Sequence, residues 1–172
     1  MINSAIRACT WRCSVSLRKR RDVANETPGA YERSMSERLF TIGYQGRTVE
    51  DLVRALRAAG VERVIDVREL PLSRRRGFSK TPLSAALAKA GISYLHLRAA
   101  GNPYRHEAHD IERCLTLYRA HLDSKPDVID AIRREAAEVP VALLCAEADP
   151  AACHRSVIAK KAATRSLSVT DL

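Results

Sequence analysis

Reactive side chains are concentrated around residue 150. Cys145 and Glu147 end an apolar, strand-like run, and the next short loop leads to Cys153, His154 and Arg155. A thiol can act as a nucleophile, a carboxylate or an imidazole can move protons, and a guanidinium can hold an anion. The pattern predicts a site in which Cys145 is the nucleophile or redox centre. Glu147 and His154 are its predicted proton-transfer partners.

Three other uses of these residues stay open. A cysteine at the end of a buried strand can be an inert core residue. Cys145, Cys153 and His154 are ligand types that zinc accepts, but structural zinc sites usually pair their cysteines as Cys-x-x-Cys, so we assign no metal and no other cofactor. Cys145 and Cys153 could also form a disulfide switch.

Several arginines suit an anionic ligand. Arg155 stands in the first turn of a predicted helix, where backbone N–H groups favour a phosphate, sulfate or carboxylate. Arg68 and Arg74 are predicted to complete this pocket. Arg68 is also the expected partner of Asp66, because an aspartate inside an apolar strand is costly to bury unpaired.

The elements that must position these residues alternate between strands and helices. Predicted strands cover 39–42, 64–67, 92–97, the run from Val141, and 167–170. Predicted helices run from Thr48 to Gly60, from Thr81 and Pro82 to Gly91, over 111–122, from Pro126, and over 154–163. This alternation predicts an α/β fold: a single domain over residues 35–172 with a mostly parallel, roughly five-stranded sheet flanked by helices in Rossmann-like layers.

Parallel strands end at one edge of a sheet, which is where ligands bind in open α/β folds. The polar residues that follow the predicted strands should therefore converge with Cys145. The residues predicted to bind substrate are Tyr44, Asp66, Arg68, Arg74, His96, Asn102 and Arg155. The leading hypothesis is an enzyme that acts on a phosphorylated or otherwise anionic ligand.

A basic loop over residues 73–80 favours a second function class. Arg74, Arg75 and Arg76 could contact phosphates while Phe78 stacks on a base, as in a nucleic-acid-binding module without catalysis. A third possibility is a polar network that holds the fold together while a partner protein supplies the activity.

Composition limits the cellular setting. The net charge is +9, and residues 1–34 hold seven Lys/Arg against three Asp/Glu, so this segment is predicted to be a disordered basic tail outside the domain. Five cysteines make an odd set without a disulfide-scaffold spacing, which indicates a reducing, cytoplasmic location. No apolar run approaches the roughly 18 residues of a membrane span, and no membrane partner is expected.

Several separated motifs, in order, resemble the domain-of-unknown-function 488 family over about residues 38–172. The resemblance implies a compact α/β domain in which these positions are the family's signature residues, and it implies no established reaction. The motifs are Thr41-Ile42-Gly43-Tyr44, Asp66-Val67-Arg68 with Pro71 and Ser73-Arg74, Phe78-Ser79-Lys80, Tyr94-Leu95-His96-Leu97, Gly101-Asn102-Pro103-Tyr104, and Leu144-Cys145-Ala146-Glu147 through Cys153-His154-Arg155.

Overall fold

The computed structural model describes residues 38–107 and 109–172. Within this part of the chain, five strands form one sheet in the order β3-β2-β4-β1-β5, and every neighbouring pair is parallel. The strands are β1 (Arg38–Gly43), β2 (Arg63–Asp66), β3 (Ser93–His96), β4 (Val141–Cys145) and β5 (Ser168–Asp171). The predicted α/β fold with a mostly parallel, five-stranded sheet is confirmed.

Helices connect the strands. The α-helices are α1 (Val49–Ala58), α2 (Lys80–Lys89), α3 (Ile111–Asp123), α4 (Pro126–Glu138) and α5 (His154–Ala162). Two short 3-10 helices, Arg98–Ala100 and Arg105–Glu107, lie between β3 and α3. No helix in the described ranges is long and apolar enough to cross a membrane.

Two apolar layers cover the two faces of the sheet. One layer packs α1 and α2 against side chains such as Phe40, Ile42 and Val64. The other packs α3, α4 and α5 against alternate residues of the same strands. Every residue of β4 is buried, because this strand lies in the middle of the sheet with helices on both faces. That placement explains why β4 is a continuous apolar run rather than an alternating one.

The register brings the polar residues to one edge. Gly43 at the end of β1 pairs with Cys145, and Asp66 at the end of β2 pairs with both Leu144 and His96. Main-chain hydrogen bonds continue past the strand ends, from the Tyr44 N–H to the Cys145 carbonyl at 3.2 Å. The predicted convergence of strand ends is therefore a feature of the fold.

The two helices on one face begin differently. Thr48 caps α1 as predicted, in a reciprocal capping box with Asp51: the Thr48 hydroxyl accepts the Asp51 N–H, and the Asp51 carboxylate accepts the Thr48 N–H. The predicted cap of α2 at Thr81 is wrong, because α2 begins at Lys80 and its N-cap is Ser79, whose side chain makes no capping bond. The Ser79 hydroxyl contacts Ser73 instead.

The predicted tail over residues 1–34 lies outside the described residues. The predicted domain bounds, residues 35–172, stay a prediction.

Thr48→Ala and Thr81→Ala separate the two helix starts. Thr48→Ala should lower the free energy of unfolding by about 1 kcal/mol, because one N–H of α1 loses its acceptor. Thr81→Ala should change it by less than about 0.5 kcal/mol, as expected for an exposed residue outside a cap. Urea denaturation of both variants measures the difference, and equal losses would contradict the helix start at Ser79.

Candidate active site

A cavity of about 190 Å³ opens at the carboxyl edge of the sheet. Six residues predicted for the site lie in its wall, from four different segments of the chain. They are Tyr44, Arg68, Asn102, Cys145, Glu147 and His154. The fold thus brings together residues that are up to 110 positions apart in the sequence.

Two thiols share one carboxylate oxygen in and beside the wall of this cavity. The sulfur of Cys145 donates to Glu147 Oε2 at 3.0 Å, and the sulfur of Cys153 donates to the same atom at 2.9 Å. His154 Nδ1 lies 3.8 Å from the Cys145 sulfur and 4.0 Å from the Cys153 sulfur. We call Cys145, Glu147, Cys153 and His154 the thiol cluster. Their ligand atoms all lie within 4.8 Å of one another.

The His154 ring has a defined orientation. Its Nε2 donates to the main-chain carbonyl of Val67 at 2.9 Å, so in the neutral imidazole the proton lies on Nε2. Nδ1 therefore presents its lone pair to the two sulfurs. The edge of the Tyr118 ring packs against His154, with 5.1 Å between ring centroids.

The loop that carries Glu147 is held from behind by Arg155. This guanidinium, 1% exposed, donates to the carbonyls of Glu147 at 2.6 Å and Ala148 at 2.9 Å, and to the Thr41 hydroxyl at 3.2 Å. The predicted contact between Arg155 and a ligand is not favoured by this geometry, because the guanidinium already donates hydrogen bonds to the loop and to β1. A direct role in anion binding stays a prediction.

Gly43 allows β1 and this loop to approach closely. A Cβ added at Gly43 would lie 1.8 Å from the Glu147 carbonyl oxygen, far inside van der Waals contact. A side chain at this position is therefore incompatible with the observed place of Glu147.

The two thiols differ in acidity. The hydrogen bond with Cys153, burial and the neighbouring charges raise the pKa of Cys145 well above its usual value. The hydrogen bond with Cys145, opposed by burial and assisted by His154, lowers the pKa of Cys153 to about 6. Cys145, the predicted nucleophile, is therefore the less acidic of the two thiols. Besides Cys145, the cause of the lowered pKa of Cys153 is the neighbouring imidazole, because Cys153 directly precedes His154.

The acid and the base of the cluster shift in opposite directions. Burial alone raises the pKa of Glu147, but hydrogen bonds from both thiols outweigh it, so the pKa is lowered. Burial alone lowers the pKa of His154, but Cys153, the Val67 carbonyl and Glu147 outweigh it, so the pKa is raised. The cluster therefore favours an ionised carboxylate beside an imidazole that can take up a proton.

The predicted pairing of Asp66 with Arg68 is confirmed. Arg68 Nε donates to Asp66 Oδ1 at 2.8 Å, Nη2 donates to Oδ2 at 2.5 Å, and the Tyr94 hydroxyl donates to Oδ2 at 2.6 Å. Arg68 Nη1 donates to the Phe78 carbonyl at 2.9 Å and to the Tyr44 hydroxyl at 3.3 Å. Burial alone lowers the pKa of Arg68, and Asp66 outweighs it, so the guanidinium stays charged in the cavity wall.

His96 and Asn102 have positioning contacts. His96 Nε2 donates to the Arg68 carbonyl at 2.9 Å. Asn102 Oδ1 accepts the Tyr104 N–H at 2.9 Å, and its Nδ2 donates to the Cys114 sulfur at 3.3 Å. Cys114 is a buried residue of α3 that also lines the cavity, in agreement with its helical spacing.

The basic loop is placed differently from our expectation. Arg74 is exposed and is not among the described residues that line the cavity. Phe78 is 1% exposed and stacks on Tyr44 with 4.5 Å between ring centroids. The predicted stacking of Phe78 on a base is not favoured by this geometry, because the ring is already packed in the core.

The rim of the cavity was missed by reasoning from the sequence. Leu70, Leu72 and Ile111 are large apolar side chains that are exposed there, and Arg105 lies beside them. Arg105 makes a 3.6 Å ion pair with Glu69 while its side chain stays 56% exposed. The spacing of the sequence did not indicate these residues. Leu70 and Leu72 nevertheless lie in the segment that follows β2, and large apolar side chains exposed near a strand end can indicate a contact surface.

The arrangement supports two kinds of chemistry. Cys145 can transfer its proton to Glu147 while the sulfur attacks a substrate in the cavity. The thiol cluster as a whole offers the ligand atoms for a metal ion. Both kinds of chemistry depend on the position of the Glu147 carboxylate.

Gly43→Ala tests that dependence. We expect the free energy of unfolding to fall by about 1–3 kcal/mol, because the new methyl group overlaps the Glu147 carbonyl. The alkylation rates of Cys145 and Cys153 should also change as their shared acceptor moves.

Gly60→Ala is the matched control. An added Cβ meets nothing within 4 Å there, so only the left-handed backbone, at a φ of 71°, is strained. This variant should lose stability in urea without a change in alkylation rates. Equal effects of the two variants on the thiols would contradict the role given to Gly43.

Comparisons with known proteins agree with the resemblance seen in the sequence. Neither the search of curated proteins nor the search of solved structures gave a match. A family model described as Domain of unknown function DUF488 matches residues 48–162, which is most of the chain and includes the thiol cluster, Arg68 and Asn102. The motif at Thr41 to Tyr44 precedes the matched span. By this match and by its α/β fold, the chain belongs to the DUF488 family.

Proposed function

We propose that the protein is an enzyme that acts on a small anionic molecule in the cavity, with Cys145 as the side chain that meets the substrate. The observation that carries the proposal is the 3.0 Å hydrogen bond from Cys145 to Glu147 in the cavity wall. A thiol beside a carboxylate that can accept its proton is the pairing that nucleophilic catalysis needs.

The size of the cavity supports a small substrate. Its volume of about 190 Å³ is below the roughly 300–1,000 Å³ of pockets that hold drug-sized ligands. The enclosed part of the substrate is then a compact group, with the apolar rim of Leu70, Leu72 and Ile111 contacting whatever extends from it.

The cations beside the cavity support an anionic group. Arg68 stays charged in the wall, but most of its N–H groups already donate to the Asp66 carboxylate and the Phe78 carbonyl. Arg105 is the more available cation, because its contact with Glu69 is long and its side chain is half exposed. We therefore assign the main contact with the anion to Arg105 and a supporting charge to Arg68.

In the metal-free protein, the route open to the cluster is direct attack by sulfur. The Cys145 sulfur would bond to the electrophilic atom of the substrate as its proton passes to Glu147, which the thiol contacts, or to His154, whose pKa is raised. The leaving group would depart with the electron pair of the broken bond and receive a proton from Glu147 or His154. Water would then release the product and restore the thiol.

Alkylation of the metal-free protein tests this assignment without a known substrate. Cys145 and Cys114 line the same cavity, but Cys145 donates to a carboxylate and Cys114 donates to the Tyr104 carbonyl. The pKa of Cys145 is raised, but His154 Nδ1 lies 3.8 Å from its sulfur and can take up the proton as the sulfur–carbon bond forms. We therefore expect Cys145 to react faster than Cys114, and faster with iodoacetate than with iodoacetamide relative to free cysteine. Mass spectrometry of the modified peptides gives each rate.

Arg105→Ala should lower the ratio of the iodoacetate rate to the iodoacetamide rate at Cys145 by about 5- to 10-fold, because the anionic reagent loses its cation. Arg119→Ala removes an exposed arginine of α3 outside the cavity lining and should leave the ratio unchanged. An unreactive Cys145, or a ratio that does not depend on Arg105, would overturn the proposal.

A second candidate function is binding of nucleic acid through the basic loop. Arg74, Arg75 and Arg76 are consecutive and exposed, which favours contacts with phosphates. With Phe78 buried, this binding would be electrostatic and would not depend on base stacking.

Salt dependence tests the second candidate. Replacing Arg74, Arg75 and Arg76 by alanine should reduce the slope of log K against log salt by about 2–3 for a single-stranded oligonucleotide, followed by fluorescence anisotropy. Replacing Arg54, Arg57 and Lys89 by alanine is the matched control with the same loss of charge. Equal slopes in the two variants would exclude the loop as the binding surface.

We propose the cytoplasm as the location. Cys114, Cys145 and Cys153 are free thiols in the described part of the chain, which fits a reducing compartment.

A further inference from the structure

Four atoms of the types that bind transition metals lie close together in and beside the wall of the cavity. They come from the end of β4, from the loop after it, and from the first residues of α5. We infer that the thiol cluster binds one divalent ion of the zinc class, with Cys145, Cys153, His154 and Glu147 as ligands.

The separations suit tetrahedral coordination. Zinc lies about 2.3 Å from sulfur and about 2.0–2.2 Å from nitrogen or oxygen, so ligand atoms around it are roughly 3.4–3.8 Å apart. In the cluster the sulfur-to-oxygen distances are 2.9 and 3.0 Å, and the sulfur-to-nitrogen distances are 3.8 and 4.0 Å. No separation among the four ligand atoms exceeds 4.8 Å. Changes of roughly 1–1.5 Å or less in these separations would therefore bring all four atoms to coordinating distance of one ion.

The surroundings of His154 are those of a metal ligand. Metal-bound histidines usually donate their second ring N–H to a carbonyl or a carboxylate, which fixes the ring and its tautomer. His154 Nε2 does so to Val67, and Nδ1 is left facing the sulfurs. The hydrogen bonds from Arg155 to the Glu147 and Ala148 carbonyls hold the carboxylate ligand in the same way.

Charge also favours a cation. Two thiol protons point at one carboxylate oxygen in a site where Cys145 and Cys153 are 3% and 1% exposed. An ion that replaces these protons balances two thiolates and the carboxylate to a net charge of −1. No described cationic side chain other than His154 contacts the two sulfurs directly, so the ion is the group that would complete the site.

The ligand types select the metal. Two sulfurs and an imidazole suit zinc and disfavour magnesium and calcium, which take oxygen ligands. Cys145, Glu147 and His154 line the cavity, so an ion among them would lie in its wall, within reach of the enclosed substrate. A zinc ion in such a place can activate water or polarise a bound oxygen.

This inference concerns the same site as the proposed function but does not depend on Cys145 being a nucleophile. With the ion bound, Cys145 is a ligand, and direct attack by its sulfur is replaced by chemistry at the ion.

Cobalt(II) is the probe that tests the site in the full-length protein after reduction and removal of metal with a chelator. We expect one Co²⁺ per chain, a sulfur-to-cobalt charge-transfer band in the near ultraviolet, visible bands of tetrahedral intensity, and displacement of Co²⁺ by Zn²⁺. Cys145→Ser and Cys153→Ser should each remove about half of the charge-transfer intensity and weaken binding by about 100-fold or more.

Two controls separate this site from other thiols. Cys114→Ser removes a buried cysteine outside the cluster, and a variant with both Cys9 and Cys13 replaced by serine removes the cysteines of the N-terminal segment. Both should keep the parent spectrum. If a cluster variant fails to fold, X-ray absorption of the zinc-loaded parent decides instead, with two sulfur atoms at about 2.3 Å and two lighter ligands at about 2.0–2.2 Å expected.

The outcomes distinguish the two proposals. Absence of stoichiometric binding, an octahedral spectrum, or binding that is lost only when Cys9 and Cys13 are replaced would overturn the metal site. If the metal site fails while Cys145 keeps its Arg105-dependent preference for iodoacetate, the thiol enzyme stands. If the ion binds while the metal-free protein lacks that preference, the metal site stands and direct attack by Cys145 falls.

Discussion

The buried guanidinium of Arg155 is the contact on which the candidate site depends. It bonds the carbonyls of Glu147 and Ala148 and reaches β1 through Thr41, whose hydroxyl in turn donates to Asp171 in β5. Hydrogen bonds from a charged donor are worth about 1.5–3 kcal/mol each, and a buried carbonyl without a donor is costly. The loop after β4 is therefore fixed at the residue whose carboxylate joins the two thiols. Without that anchor, neither thiol has a defined proton acceptor.

The second anchor is the end of β2. The Val67 carbonyl accepts the His154 ring N–H, and the neighbouring Asp66 and Arg68 form a buried ion pair that Tyr94 completes. A buried pair of this kind does not by itself raise stability, because desolvation offsets the attraction between the charges. Its consequence is geometric. Arg68 is held in the cavity wall while its main chain, through His96, stays attached to β3.

The order and type of residues were sufficient to predict the secondary structure and the sheet. The alternation of runs predicted the parallel sheet, and parallel strands brought Cys145, Asp66 and His96 to one edge. The structure was needed wherever the direction of a side chain decides the outcome. Phe78 lies in a basic loop but turns into the core against Tyr44, and Arg155 turns toward β1. The acidity of the thiols also depends on three-dimensional contacts, because Cys153 owes its lowered pKa first to Cys145 and then to the His154 ring beside it.

The charge of the thiol cluster narrows what can occupy it. Glu147 is ionised because two thiols donate to it, and ionising a second or third group nearby adds negative charge in a site with little water. His154 can compensate one negative charge by taking up a proton, whereas Arg155 already donates its hydrogen bonds to the Glu147 and Ala148 carbonyls. The cluster can therefore lose both thiol protons together only when a cation takes their place. Proton transfer at Cys145 and binding of a divalent ion are thus two ways to satisfy the same electrostatic requirement, and Glu147 is the residue common to both.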